Sequence, residues 1–217
     1  MGQILTLPNI VLGSASPARK MVLRNAGIDP EVIVSHLDED ALVAARGWTS
    51  PEDIAGGLAV AKTESVADLI VSQNRPTPQL IIGCDSVMEF AGHIHGKPGT
   101  AENARARLRE MSGGRGTLHT GHHVIFLHGE KTTTASAVTS TDVVFHEISD
   151  AEVNAYVATG EPLNVAGAYT LDSLGGPFIR EIHGDPSNVI GISLPTLRQL
   201  FAELEIGWDL VLRQSPK

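Results

Sequence analysis

The run Ile10-Val11-Leu12-Gly13 passes directly into Ser14-Ala15-Ser16-Pro17-Ala18-Arg19-Lys20, and this junction restricts the fold more than any other stretch of the chain. Four residues without a polar side chain read as a strand buried on both faces, as in sheets covered by helices. Ser14 and Ala15 suit a tight turn, Ser16 an N-cap and Pro17 the first position of a helix. Backbone N–H groups and two cations then converge where that helix begins. Such a place attracts an anion, most simply a phosphate.

A second run, Leu80-Ile81-Ile82-Gly83-Cys84, has the same character and is expected to end at Asp85. That puts an acid at the carboxyl end of a strand, where ligands gather in open α/β sheets. Helices are predicted over 16–26, with Met21, Val22 and Leu23 on the apolar side, and over 50–71, with Ile54, Leu58, Ala61 and Leu69 turned inward. The pattern further predicts a strand at 31–34, a loop at 75–79, a hairpin around Ala91-Gly92 and a helix over 101–111. A long antiparallel pair at 117–127 and 132–145 follows, then a helix opened by the capping box Ser149-Asp150-Ala151-Glu152. Gly and Pro crowd 160–187, which predicts irregular backbone, and a last helix is expected from near Pro195 to 204. Together these elements describe an α/β fold: a mixed sheet with flanking helices and an antiparallel extension.

At 217 residues and 42% apolar content, the chain can bury one sizeable core. Its formal net charge of −9 argues against a general nucleic-acid binder, whose phosphate contacts need a basic face. Any phosphate site must be a local basic pocket. The single cysteine, Cys84, rules out an internal disulfide, and no long apolar segment or signal-like start suggests export or membrane spanning, so a cytoplasmic location is expected. Met1-Gly2-Gln3-Ile4-Leu5-Thr6 fits the bare myristoylation pattern, but no polybasic neighbour follows and the match is read as chance.

Candidate chemistry rests on Asp38-Glu39-Asp40, Lys62, Asp85 and Lys97, ionisable residues in otherwise apolar or small-residue surroundings. Carboxylates can hold a hard divalent cation and take a proton from water, while lysines neutralise phosphate oxygens. With Arg19 they would make a triphosphate site. All but Asp85 also have a plain structural reading: a solvated turn at 38–40, an exposed helix lysine at 62, a loop charge at 97, and an Arg19 that snorkels along the first helix. Cys84 reads as a core thiol, and His93, His95, His119, His122 and His123 match no standard zinc spacing.

In order along the chain, Ser14-x-Ser16-Pro17-x-Arg19, Ser35-x-x-Asp38-Glu39, Leu58-Ala59-x-x-Lys62, Gly83-x-Asp85-Ser86-Val87 and Gly96-Lys97-Pro98 resemble the motifs of the Maf family of nucleoside triphosphate pyrophosphatases. Ser112-Gly113, Thr120-Gly121, Ala166-Gly167-Ala168-Tyr169 and Gly184-Asp185-Pro186-Ser187-Asn188-Val189-Ile190-Gly191 extend the likeness through the C-terminal half. The resemblance implies one domain over 1–217, with two lobes around a cleft. It implies hydrolysis of a nucleoside triphosphate to monophosphate and pyrophosphate with a divalent metal, Mg or Mn, often in a homodimer. By carry-over Asp85 is the proton acceptor, Glu39 and Asp85 the metal-side acids, and Ser14, Ser16, Arg19, Lys62 and Lys97 contact phosphates or base. A house-cleaning enzyme for unwanted nucleotides is the leading reading. A nucleotide-binding regulator of cell division or septum formation, with little catalysis, is the alternative.

Four positions depart from the family pattern. Ala18 stands where a second arginine is frequent, Ser86 where threonine is common, and Gly116 where histidine is often found. Asp172 lies in Leu171-Asp172-Ser173, where many members carry Ile-Gln-Gly. A glutamine offers both a donor and an acceptor to a base edge, whereas an ionised aspartate only accepts. Arg19, Ser86 and Asp172 are therefore candidates for setting base choice.

Overall fold

A computed structural model describes residues 8–76 and 78–214. The myristoylation-like stretch at 1–6 lies outside them. Strand β1 (Asn9–Leu12) leads through the serine turn to helix α1 (Pro17–Asn25), capped by the Ser16 side chain with Pro17 in its first turn. Val22 and Leu23 are buried on α1, but Met21 is 45% exposed, because the apolar stripe of so short a helix is only two residues wide. β2 is just Glu31–Val32, shorter than expected; Ile33 still donates to the Leu12 carbonyl at 3.1 Å and packs on the core, but Val34 points to solvent and the pairing ends.

The acids at 38–40 are not a free turn. Asp38 accepts a hydrogen bond from the Ala41 N–H at 3.0 Å and caps α2 (Glu39–Arg46), a helix the sequence pattern did not predict. α3 (Pro51–Ser72) buries Ala55, Leu58, Ala59, Lys62, Thr63, Val66, Ala67 and Ile70. That stripe is rotated from the expected one, so Leu69 is exposed while Ile54 and Ala61 are only half-buried. Small residues set the rotation: at Gly121 and Gly83, a Cβ would come to 2.1 Å from the Ala55 carbonyl oxygen and 2.0 Å from the Thr63 Oγ1. The helix therefore rests directly on bare sheet backbone.

β3 (Gln79–Phe90) does not end at Asp85. It runs twelve residues because its antiparallel partner β5 (Arg115–His128) pairs with it from Gln79↔Leu127 to Phe90↔Gly116. On its other edge β3 pairs parallel with β1 only as far as Leu12↔Ile82, and antiparallel with β4 (His93–His95) only from Met88↔His95 onward. Asp85 sits in the gap between those two partners. The functional position is thus the end of the parallel pairing, not the end of the strand. The β3–β4 turn is Ala91-Gly92, both residues at positive φ, the geometry a two-residue hairpin needs.

β6 (Lys131–Phe145) pairs with β5 along its length, and β7 (Ile179–His183), which the sequence pattern missed, completes a seven-stranded mixed sheet of order β2-β1-β3-β5-β6-β7, with β4 on the free stretch of β3. α4 (Ala101–Met111) and α5 (Asp150–Ala158), the latter on its capping box, lie with the irregular segment 161–178 over Met88, Leu118, Val143 and Phe145. α6 (Pro186–Ile190), α7 (Leu194–Glu203) and α8 (Trp208–Gln214) follow; α8 was not expected from the sequence. Leu197, Leu200 and Phe201 of α7 join Leu12, Leu80, Ile82 and Cys84 in the first core. Each such large side chain contributes roughly 1.5–3 kcal/mol by leaving water. No helix among the described residues is long and apolar enough to cross a membrane.

Candidate active site

Successive residues of β3 point to opposite faces of the sheet, so Asp85 and Ser86 open two different environments. On the α3 face, Lys62 reaches down from its helix. Its Nζ lies 2.5 Å from Asp85 Oδ1 and 2.9 Å from Glu39 Oε1. Lys62 and Asp85 are each 8% exposed, whereas Glu39, on the first turn of α2, stays half open to solvent. Burial pushes the Asp85 carboxyl above the ordinary carboxylate range, against the pull of the Lys62 and Arg19 charges, and the Glu39 charge adds to the rise. One ammonium is shared by two carboxylates, leaving the cluster with an excess of negative charge.

On the opposite face, Arg19 is braced. Its Nε donates to the Gly191 carbonyl at 2.8 Å, Nη1 to Ser14 Oγ at 3.0 Å and to the Cys84 carbonyl at 2.8 Å, and Nη2 to Ser86 Oγ at 3.0 Å. Four of five donors thus go to the protein. The Cys84 carbonyl is free for this because, on the edge away from β5, β3 has no strand partner between Ile82 and Met88. Ser14 Oγ also accepts from the Ser16 N–H at 3.3 Å, and Ser16 Oγ from the Arg19 N–H at 3.4 Å, so both serines shape the turn. Ser86 Oγ lies 2.9 Å from Thr120 Oγ1, and Thr120 Oγ1 donates to the Asn188 carbonyl at 3.3 Å.

The structure brings Glu39, Lys62 and Asp85 together on one face, and Ser14, Ser16, Arg19 and Ser86 on the other. Lys97 and Asp172 join neither group. Lys97 is exposed and without an ion pair among the described residues; its loop is fixed by Gly96, whose carbonyl accepts from Arg107 Nη1 at 2.5 Å, and by Gly99, whose N–H donates to the Leu163 carbonyl at 3.0 Å. Asp172 is likewise exposed, in a loop that folds around Glu161. The Glu161 carboxylate accepts from Tyr156 Oη, Thr170 Oγ1, Ser173 Oγ and the N–H groups of Leu174 and Gly175, and although burial raises its pKa these bonds hold it below the usual carboxylate range. Glu161, Thr120 and Gly191 were not singled out from sequence. Thr120 and Gly191 stand inside resembling segments, but nothing in the order of residues marks Glu161, whose partners lie in irregular backbone.

Cys84 is fully buried and its thiol is pushed up to about 12 by desolvation, as suits a core residue. Burial holds His122 down at about 4, so the neutral ring accepts the Ser193 N–H on Nε2 at 2.8 Å and ties α7 to β5. His119 bridges Ser140 Oγ, 2.9 Å from Nδ1, and Glu89, 3.3 Å from Nε2.

Among the described residues, no three His, Cys, Asp or Glu side chains are grouped to hold a metal ion. Two hard oxygen donors, Glu39 and Asp85, do converge, and they already share one cationic atom. That pair fits a Mg- or Mn-like ion that keeps water and substrate oxygens as its remaining ligands.

An α/β sheet with charged residues gathered where parallel pairing stops places the protein in the class of α/β proteins that bind ligands at the ends of parallel strands. Within that class, the family model for Maf-like protein matches residues 9–204, and the chain belongs to this family. It is 47% identical over 203 residues to a nucleoside triphosphate pyrophosphatase of Rhodococcus jostii, covering 93% of this chain and 94% of that relative. A protein of the same name from Streptomyces avermitilis is 50% identical over 198 residues, 91% of each chain, and one from Leifsonia xyli is 46% identical over 204 residues, 92% and 94%.

Proposed function

We propose that this protein is a nucleoside triphosphate pyrophosphatase that hydrolyses its substrate to nucleoside monophosphate and pyrophosphate, with Asp85 accepting the proton of the attacking water. The observation that carries the reading is the buried Lys62 ammonium held between Asp85 and Glu39. In the free protein Lys62 neutralises Asp85. An incoming polyphosphate competes for the same ammonium, and as Lys62 turns toward phosphate oxygens Asp85 loses its nearest cation while remaining buried. Burial then favours its taking the proton of the attacking water, a pull that a divalent ion held beside it with Glu39 would moderate. Lys62 then offsets charge on the phosphates, and the half-exposed Glu39 orients the water or a cation.

Glu39 and Asp85 would hold a divalent ion, which when bound supplies charge neutralisation at the polyphosphate. Ser14, Ser16 and the α1 N-terminus offer short-range polar contacts, and Lys97 and Asp172 contact the substrate from the exposed loops that carry them. Arg19 and Ser86 contact it from the other side of β3. The family match and the names of the relatives support this reading. The same reading makes the protein a cytoplasmic house-cleaning enzyme, homodimeric as its family implies, with no nucleic-acid or membrane partner.

Product analysis tests it. Incubation of a triphosphate panel with Mg or Mn should yield monophosphate and pyrophosphate. Diphosphate and orthophosphate would make it a different phosphohydrolase. Tight binding without turnover would favour a nucleotide-responsive regulator of division.

A further inference from the structure

The hydroxyls on the Ser86 side of β3 form a chain with a direction. Ser86 Oγ accepts from Arg19 Nη2 and lies 2.9 Å from Thr120 Oγ1, whose nearest carbonyl is that of Asn188 at 3.3 Å. Thr120 is fully buried. Two proton arrangements are open to it. If Thr120 donates to Ser86, the Asn188 carbonyl loses that bond and the Ser86 proton needs another acceptor. If Thr120 donates to the carbonyl, Ser86 donates to Thr120, and every proton in the chain has a partner. The second makes one more hydrogen bond in a buried setting, where an unmade bond is costly.

We propose that Thr120 is a positioning residue that fixes Ser86 as a hydrogen-bond acceptor toward the substrate. Ser86 is half-buried and adjacent in sequence to Asp85, with its oxygen keeping a lone pair free. Beside it, Arg19 has one N–H without a partner among the described residues. The site therefore presents a fixed acceptor next to a fixed donor. An ionised phosphate, which only accepts, gains nothing from the serine. A nucleobase edge, with an N–H beside a carbonyl or ring nitrogen, satisfies both. Arg19 can only donate, and reversing Ser86 would cost the Thr120–Asn188 bond, so the pair favours keto bases, whose ring nitrogen carries a proton, over amino bases, whose ring nitrogen does not. This rests on the pyrophosphatase reading for the placement of substrate, and not on which base is preferred.

The test uses two matched pairs, uridine against cytidine triphosphate and guanosine against adenosine triphosphate. The ratio of kcat/KM within each pair is measured for wild type, Thr120→Val, Thr120→Ser and Ser86→Ala. Affinity ratios for the same pairs are measured in an Asp85→Asn background, independently of turnover. At least one wild-type pair should differ by about tenfold or more, the discrimination one hydrogen bond supplies. Thr120→Val releases the Ser86 hydroxyl to donate or accept, and should bring that ratio close to one. Thr120→Ser keeps the chain and should keep the ratio. Ser86→Ala removes the acceptor and should contract the ratio too, which carries the comparison if Thr120→Val does not fold. Ratios near one in wild type, or unchanged in Thr120→Val or Ser86→Ala, overturn the proposal. Expected affinity ratios in a protein that hydrolyses none of the four would overturn the hydrolytic reading and leave the role of Thr120 standing.

Discussion

Two neighbouring residues of one strand, Asp85 and Ser86, lead into opposite kinds of polar environment. On the α3 side, two carboxylates, one buried and one half open to solvent, share one buried ammonium, and the arrangement carries an unbalanced charge. On the α1 side, Arg19, Ser14, Ser86, Thr120 and the Cys84 and Gly191 carbonyls bond to one another with one N–H left over. The first side gains by rearranging when a polyanion arrives. The second loses bonds if anything moves. Chemistry that requires a change of protonation belongs on the first, and recognition that requires fixed donors and acceptors belongs on the second.

The contrast can be broken most severely at Asp85. Asp85→Asn should lower turnover by about 10²–10⁴-fold while nucleotide binding persists, checked by steady-state kinetics and calorimetry. Near-normal turnover would move the base elsewhere. Lys62→Met should lower kcat/KM by about 10²-fold or more and, by stranding a buried carboxylate, cost about 3 kcal/mol at neutral pH in denaturant titrations. The sign with pH is specific. The folded-state pKa of Asp85 is already raised, so the stranded acid destabilises above its unfolded value of 3.8, and the deficit should shrink as pH falls through the folded pKa. A deficit that grew on acidification would contradict the account.

Arg19→Lys keeps the charge but loses the fork that serves Ser14, Cys84, Ser86 and Gly191, and should cost about 2 kcal/mol of stability with no such pH dependence. In wild type the raised pKa of Asp85 predicts an acid limb in kcat/KM lying above the ordinary carboxylate range, with activity rising as pH rises through it. The smallest expected effect is at Asp172: replacement by Gln should shift base preference several-fold, on the order of one exposed hydrogen bond, and leave stability alone. An unchanged preference would remove Asp172 from the question of selectivity.

Much of this was legible in the sequence, and for local reasons. The Ser16 cap with Pro17, the Ala91-Gly92 turn and the Ser149–Glu152 box are short-range signals whose chemistry does not depend on distant partners. The long β5–β6 pair was readable from its Val, Thr and Ile content. What failed depended on pairing. The extent of β3 is decided by β5, not by its own apolar run, and Leu69 faces solvent because glycines across the sheet let smaller residues of α3 turn inward. α2 was hidden because an Asp-Glu-Asp run looks the same as a solvated turn until its cap is seen. Of the site, Asp85, Lys62 and Glu39 stood out as ionisable residues in apolar or small-residue surroundings, and motif likeness gave them their roles. That Arg19 serves the other face of the strand needed the register of β3 and the free Cys84 carbonyl.

The bare backbone beneath α3 has a consequence for anyone who would rebuild this protein. Because positions 83 and 121 leave the helix no clearance, Lys62 spans its gap with a side chain of ordinary length. Adding a single methyl at Gly121 would lift the helix like a shim under a beam, and the lysine would no longer reach its acid. Transplanting the charged trio into another scaffold therefore requires carrying the two empty positions along with it, although neither contributes an atom to the chemistry.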